Sequence, residues 1–242
     1  MRFFLPCIQC GMARFFESGF ISLNFNDSGV YEFKCKNGHE SIVILQEKKF
    51  EILFDIGAYA ILDGYYREAV SSFSAALERF YEYAIRVILA KSGVSDDTFL
   101  QTWKKVSNQS ERQLGAFYYL WILNFNEAPV MLSDTDSSFR NSVIHKGLIP
   151  SREKTIDYGE KVLDIIRPMI KRLKEELRDE MTKVNISLTG EIKAKSNKSN
   201  VTTAVVTTII STTYEEDKHF NTSLVDFLKQ YTKLIELHEK NK

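Results

Sequence analysis

The stretch FEILFDIGAYAILDGY, Phe50 to Tyr65, decides the fold class. Its apolar positions Phe50, Leu53, Phe54, Gly57, Ala58, Ile61, Leu62 and Tyr65 recur at intervals of three and four, the period of one helical face. Upstream the period is two. Phe20-Ile21-Ser22-Leu23-Asn24-Phe25 alternates and stops at Asn26-Asp27-Ser28-Gly29, which predicts a hairpin with its turn. A further short strand is predicted over Ser41 to Leu45, and the charged Gln46-Glu47-Lys48-Lys49 marks the boundary where strands give way to helices.

Downstream the helical period continues. Ala69, Phe73, Ala76, Leu77, Phe80, Ala84, Val87 and Ile88 form one stripe of a long helix ending near Lys91-Ser92-Gly93, where glycine suits the position after the cap. A weaker segment follows Ser95. Ser110 with Gln113 three residues on has the form of a capping box, opening a helix that buries Leu114, Phe117, Tyr118, Trp121, Ile122 and Phe125. A short helix, Ser137 to Lys146, ends at Gly147. Ser151 then caps a last long helix whose Ile156, Gly159, Leu163, Ile166, Ile170, Leu173 and Leu177 make a packing seam, with a kink expected at Pro168. Past Asp179 the composition turns β-favouring over Val184 to Ile192 and again over Val201 to Tyr214, before an amphipathic helix from Thr222 to about Glu239. The chain is therefore expected to be mainly α. Three units are anticipated: a small β module over 1–47, a helical bundle over 48–180 and a small α+β appendage over 181–242.

The first unit carries all three cysteines. Cys7-Ile-Gln-Cys10-Gly11 and Cys35-Lys-Asn-Gly38-His39 each place two soft or borderline ligands on a tight turn, with glycine where the backbone must curl. Four such ligands complete a tetrahedron, so Cys7, Cys10, Cys35 and His39 are expected to bind structural Zn2+, in a spacing that resembles a zinc ribbon with His as its last ligand. A closed four-ligand site has no open position for water, so this metal is expected to hold the fold and to do no chemistry.

Composition narrows the remaining choices. Lys plus Arg equals Asp plus Glu, 32 each in 242 residues, so no global basic field draws in nucleic acid and any RNA binding must use a local patch. No run approaches the roughly 20 apolar residues of a membrane helix. The start is too short for a signal peptide, and three cysteines suit a reducing compartment, so a cytoplasmic protein is expected. There is no phosphate-cradling glycine loop and no Gly-x-Ser-x-Gly elbow.

Arg140-Asn141-Ser142-Val143-Ile144-His145-Lys146 lies in the short helix. Taken alone, the plainer reading is a helix-end histidine near the C-terminal dipole beside a solvated arginine. On a helix Arg140 and His145 diverge by about 140°. The Arg-Asn-x-x-x-His pattern, with Tyr66-Arg-Glu-Ala69-Val70 through Ala76-Leu77-Glu78 and His145-Lys-Gly-Leu-Ile-Pro150 leading to Tyr158-Gly159, resembles the HEPN family over about residues 51–178.

That resemblance implies an antiparallel helical bundle, a homodimer, and a metal-independent endoribonuclease of toxin or antiviral-defence type whose two motif copies meet at the dimer interface. His145 would handle proton transfer, Arg140 would stabilise phosphoryl charge, and Asn141 would orient the pair or hold a phosphate oxygen. Lys146 would add local charge for substrate, or be a solvated lysine. RNA is the expected substrate, and DNA, lacking the 2′-hydroxyl, is not. An antitoxin or regulatory protein is a possible partner. Glu78 and Tyr158 could face the same cleft, although a mid-helix Glu is more often solvated and a Tyr more often half-buried core. A non-catalytic RNA- or nucleotide-binding module and a protein-interaction adaptor stand as alternatives.

Overall fold

The computed structural model describes residues 2–5, 7–10, 21–213 and 221–240. Among these, eight helices dominate. They are α1 (Lys49–Leu62), α2 (Tyr66–Lys91), α3 (Asp96–Trp103), α4 (Ser110–Phe125), α5 (Asp134–Lys146), α6 (Arg152–Glu176), α7 (Arg178–Ser196) and α8 (Leu224–Lys240). Five short strands, β1 (Arg2–Leu5), β2 (Ile21–Asn24), β3 (Val30–Lys34), β4 (Glu40–Leu45) and β5 (Thr202–Ala204), form two small sheets.

α2 is the central helix, packed on α1, α4, α5, α6 and α7. Its stripe from Ala69 to Ile88 is buried as the periodicity predicts, and it stops where Gly93 takes φ +76°. Phe73 sits in the middle of the core against two glycines. A Cβ on Gly57 or on Gly159 would lie 2.5 Å or 2.9 Å from its ring, so both glycines are needed for this close approach. Arg86, also on α2, is 5% exposed and pairs with Asp96 at 2.8 Å and Glu191 at 2.6 Å, tying α3 and α7 to the centre.

Several expectations change. The turn Asn26 to Gly29 forms, with the Asn26 side chain accepting from the Ser28 and Gly29 amides. The strands on either side do not pair with each other: β2 pairs with β1 and β3 with β4, so the turn joins two sheets. Phe20 and Tyr214 lie outside the described residues. Gln113 does not cap α4. It is buried, donates to the Ser107 carbonyl and accepts from Arg79, because the pull of a buried partner exceeds that of an exposed helix end. The buried stripe of α4 is narrower than predicted, Gln113, Phe117, Trp121 and Phe125, and leaves Leu114 37% exposed. Helix α6 continues through Pro168.

The largest change is at Val184 to Ile192, which is helical within α7. Met181 and Val184 are buried in the helical core, Tyr83 donates to Asn185, and Arg86 reaches Ser187 and Glu191. Partners at helical spacing override a β-favouring composition. Of the described residues 201–213, only Thr202–Ala204 is a strand, added parallel to β4.

The rest of that segment is an irregular strap whose amides are met by acids of α1 and the turn before it. Glu47 accepts from Val206 at 2.7 Å, Asp55 from Ile209 at 2.9 Å, and Glu51 from Thr212 at 2.5 Å. Spaced four residues apart, these carboxylates lie on one side of α1. They do for the strap what a neighbouring strand would otherwise do. Asp55 also accepts from the Tyr231 hydroxyl of α8 at 2.6 Å.

Candidate functional site

Two places gather side chains able to do chemistry. The first is formed by the knuckles that hold the cysteines. The ligand atoms of Cys7, Cys10, Cys35 and His39 all lie within 4.8 Å of one another. Backbone turns make this possible: the Cys10 amide donates to the Cys7 carbonyl, the Gly38 amide to the Cys35 carbonyl, and Gly38 adopts φ +83°.

The spacing tests what these atoms can hold. A tetrahedral metal with bonds of about 2.3 Å to sulfur and about 2.0 Å to nitrogen requires S···S edges of about 3.8 Å and S···N edges of about 3.5 Å. Cys10 and Cys35 Sγ are 3.7 Å apart, and His39 Nδ1 lies 3.7, 3.3 and 3.5 Å from Cys7, Cys10 and Cys35. The four residues therefore could bind one metal ion, all through the atoms a metal would use. Burial pushes the Cys7 thiol up. Burial acts the same way on Cys35, but backbone groups of His39 and Asn37 with the neighbouring thiols outweigh it and bring it down to about 7.

The second place is on α5. Ser133 caps this helix by accepting the Asp136 amide, and Gly147, at φ +75°, ends it. Only Val143 is fully buried, while Phe139 packs its ring 5.7 Å from that of Tyr158. Six of the thirteen residues of α5 are exposed, and Arg140 is half-buried. Its side chain is 25% exposed, Nη2 donates to Glu78 Oε1 at 2.6 Å and Nη1 to Asn141 Oδ1 at 3.1 Å.

The guanidinium borders a cavity of about 190 Å³ between α2, α4, α5 and α6. Tyr158 and Ser74 meet in its wall, hydroxyl to hydroxyl at 2.9 Å, and burial pushes the Tyr158 and Tyr81 phenols up, so both stay protonated. Asn141, His145 and Lys146 are exposed. His145 does not line the cavity and has no hydrogen-bond partner among the described residues. One chain thus brings Arg140 and Asn141 together; His145 lies one turn beyond Asn141 and about 140° around the helix from Arg140, with Lys146 exposed at the helix end.

Sequence reasoning set aside Glu78 and Tyr158, and the structure makes them Arg140's surroundings. The signal available was positional. Ser74, Glu78 and Tyr81 follow the edge of the α2 stripe at helical spacing, Ser74 and Tyr81 buried and Glu78 partly exposed.

Comparison of the chain with known protein families, with curated proteins and with solved structures finds no match. Among the described residues, no helix is long and apolar enough to cross a membrane.

Proposed function

We propose that this protein is an endoribonuclease of toxin or antiviral-defence type that cuts RNA without a catalytic metal, and that Cys7, Cys10, Cys35 and His39 hold a structural zinc. The observation that carries the ribonuclease reading is the Arg140 guanidinium, clamped by Glu78 at the rim of a cavity, with an unpartnered imidazole farther along the same helix. The zinc reading rests on three thiols and an imidazole at tetrahedral spacing.

In the proposed reaction the RNA 2′-oxygen forms a bond to the adjacent phosphorus, the bond from phosphorus to the 5′-oxygen breaks, and a 2′,3′-cyclic phosphate and a 5′-hydroxyl result. His145 takes the 2′-hydroxyl proton, because imidazole exchanges protons near neutral pH, and solvent water gives the departing 5′-oxygen its proton. Arg140 stabilises the charge that gathers on the non-bridging oxygens, and Asn141 fixes its orientation. The two side chains diverge on α5, so a second copy supplies the imidazole opposite the first copy's guanidinium. Lys146 adds local positive charge for the substrate backbone, and DNA is not cut.

The test is incubation of wild type and His145→Ala with total RNA in EDTA, followed by end-group analysis. Cyclic-phosphate ends from wild type alone are expected. Equal cleavage by both proteins, or none by either, would remove the assignment.

A second reading, a protein-interaction adaptor, is favoured by one feature. Tyr119 and Leu123 on α4 are 74% and 82% exposed, on a helix face with no charged side chain between Leu114 and Phe125. A regulatory or antitoxin protein would use that face. Co-purification of a protein partner lost in Leu123→Glu, with no RNA affinity at low salt, would select this reading.

A further inference from the structure

We infer that Asn37 is a positioning residue for the metal proposed above: its side-chain amide covers the sulfur of Cys10, the most open of the three thiols, and so sets how fast the metal is lost. The inference rests on the reading of Cys7, Cys10, Cys35 and His39 as a zinc site.

Charge creates the need. Three thiolates and a neutral imidazole around Zn2+ leave one net negative charge, and it resides on the sulfurs. N–H groups that donate to a thiolate spread that charge and hold the sulfur in its place on the metal. Cys7 and Cys35 each open a knuckle, and each sulfur is met by backbone amides of its own turn, those of Cys10 and Gln9 in the first case and those of His39 and Asn37 in the second. Both residues are buried.

Cys10 differs on both counts. It closes its knuckle and is only half-buried. With His39 Nδ1 committed to the metal, the donor left to its sulfur among the described residues comes from across the site, where Asn37 Nδ2 donates to Cys10 Sγ at 3.3 Å. Asn37 stands between Cys35 and His39, so a residue held by two ligands lays its side chain over a third. That side chain is exposed, and it therefore lies between the Cys10 sulfur and the solvent from which a chelator or an electrophile arrives.

Gln9 supplies an internal comparison. It occupies the matching place in the first knuckle, between Cys7 and Cys10, and its Nε2 also crosses the site, but to the Glu40 carbonyl at 3.2 Å. Both amides tie the knuckles together. Only the Asn37 bond ends on a ligand atom.

The test uses the full chain loaded with Zn2+ or Co2+, as wild type, Asn37→Ala, Asn37→Asp and Gln9→Ala. Zinc transfer to a chromophoric chelator, the initial rate of Cys10 alkylation by iodoacetamide and the sulfur-to-cobalt charge-transfer band are measured. Asn37→Ala should release zinc at least about tenfold faster, the effect of a lost outer-shell partner, with a similar rise in Cys10 alkylation. Its charge-transfer band should move to longer wavelength, because a sulfur without its donor holds its lone pairs less tightly. Asn37→Asp, which sets a carboxylate against the thiolate, should release zinc faster still. Gln9→Ala should leave the band and the Cys10 alkylation rate unchanged. Wild-type behaviour of Asn37→Ala in all three measurements would overturn the role, and so would a Gln9→Ala protein that matches it throughout, since a plain tie between knuckles would then suffice. The failures are distinguishable: a wild type that takes up no metal sinks the zinc reading and this role with it, whereas one metal per chain with an indifferent Asn37 sinks the role alone.

Discussion

The Cys/His cluster and the Arg140 cavity both gather polar side chains, and the chain assembles them in opposite ways. In the cluster, each knuckle takes its two ligands from within five residues, and the turn itself brings them together. In the cavity, Arg140 and Glu78 are 62 residues apart and Ser74 and Tyr158 are 84 apart, so helix packing alone makes them neighbours. In the proposed reading a metal closes the first site, whereas the second needs only the core. Their separate hydrophobic clusters, one around Leu5, Tyr31, Val43, Leu45 and Val206 and one around Phe54, Phe73 and Phe80, fit that division.

The largest effect should therefore come from the metal. Structural zinc contributes on the order of 10 kcal/mol to the fold it closes. Cys35→Ser, or removal of zinc by a strong chelator, is expected to abolish one bound metal per chain and unfold the β1–β4 region while most helical circular dichroism survives. Metal analysis with far-ultraviolet spectra checks this. Loss of the helices in step with the metal would mean that the two regions are one cooperative unit.

The cavity should behave in the converse way. Arg140→Ala and His145→Ala are each expected to lower RNA cleavage by roughly 10²- to 10⁴-fold, the range of a lost proton-transfer or charge-stabilising group. Their cost in stability should stay under about 1 kcal/mol, because His145 is exposed and the Arg140–Glu78 pair is partly solvated. The double variant should be no slower than the slower single one if the two groups act on one linkage. Multiplying losses would argue that they serve different steps.

The strap tests the join between the two regions. Burial, with Glu51 nearby, pushes Glu47 up to about 8 and Asp55 up to about 7, and Glu51 is raised too by burial. The one cation among the charges acting on Glu47 and Glu51 is Lys48, which lowers both without overcoming burial. A carboxyl whose folded pKa lies above its unfolded value near 4 holds its proton more tightly in the folded state. Its contribution is complete below pH 4 and declines as pH rises toward 7 and 8. Stability should fall across that window as the buried carboxyls are forced to ionise. Asp55→Asn should flatten the pH dependence of urea midpoints between pH 5 and 8, and an unchanged slope would exclude Asp55 as its source.

How much of this was legible in the sequence follows the same division. The ligand set could be read because its code is local: two turns, four ligands, glycines in place. Helices α1, α2 and α6 could be read because their stripes are long. The strap could not. Glu47 and Glu51 stand in or beside a charged run that looks like a solvated boundary, and only the amides of Val206 and Thr212, more than 150 positions away, explain their burial. For the same reason Val184 to Ile192 read as a strand, since its helical partners Tyr83 and Arg86 are about 100 residues distant. At the Arg140 site the motif was visible and its surroundings were not.

The smallest effect discriminates most finely, because it acts on the cavity through packing alone. Phe73 is fully buried between Gly57 on α1 and Gly159 on α6, and an added methyl on either side forces a shift. Overpacking of this kind costs about 1–3 kcal/mol. Both Gly57→Ala and Gly159→Ala should lose that much in urea titrations and leave metal stoichiometry unchanged. They should differ in activity. Gly159 is next to Tyr158, so displacing α6 moves the phenol that meets Ser74, whereas Gly57 lies on α1, which contributes nothing to the cavity lining. Cleavage should weaken in Gly159→Ala and hold in Gly57→Ala at matched stability. Equal losses would show that activity follows global stability, and the position of Tyr158 would then carry no separate weight.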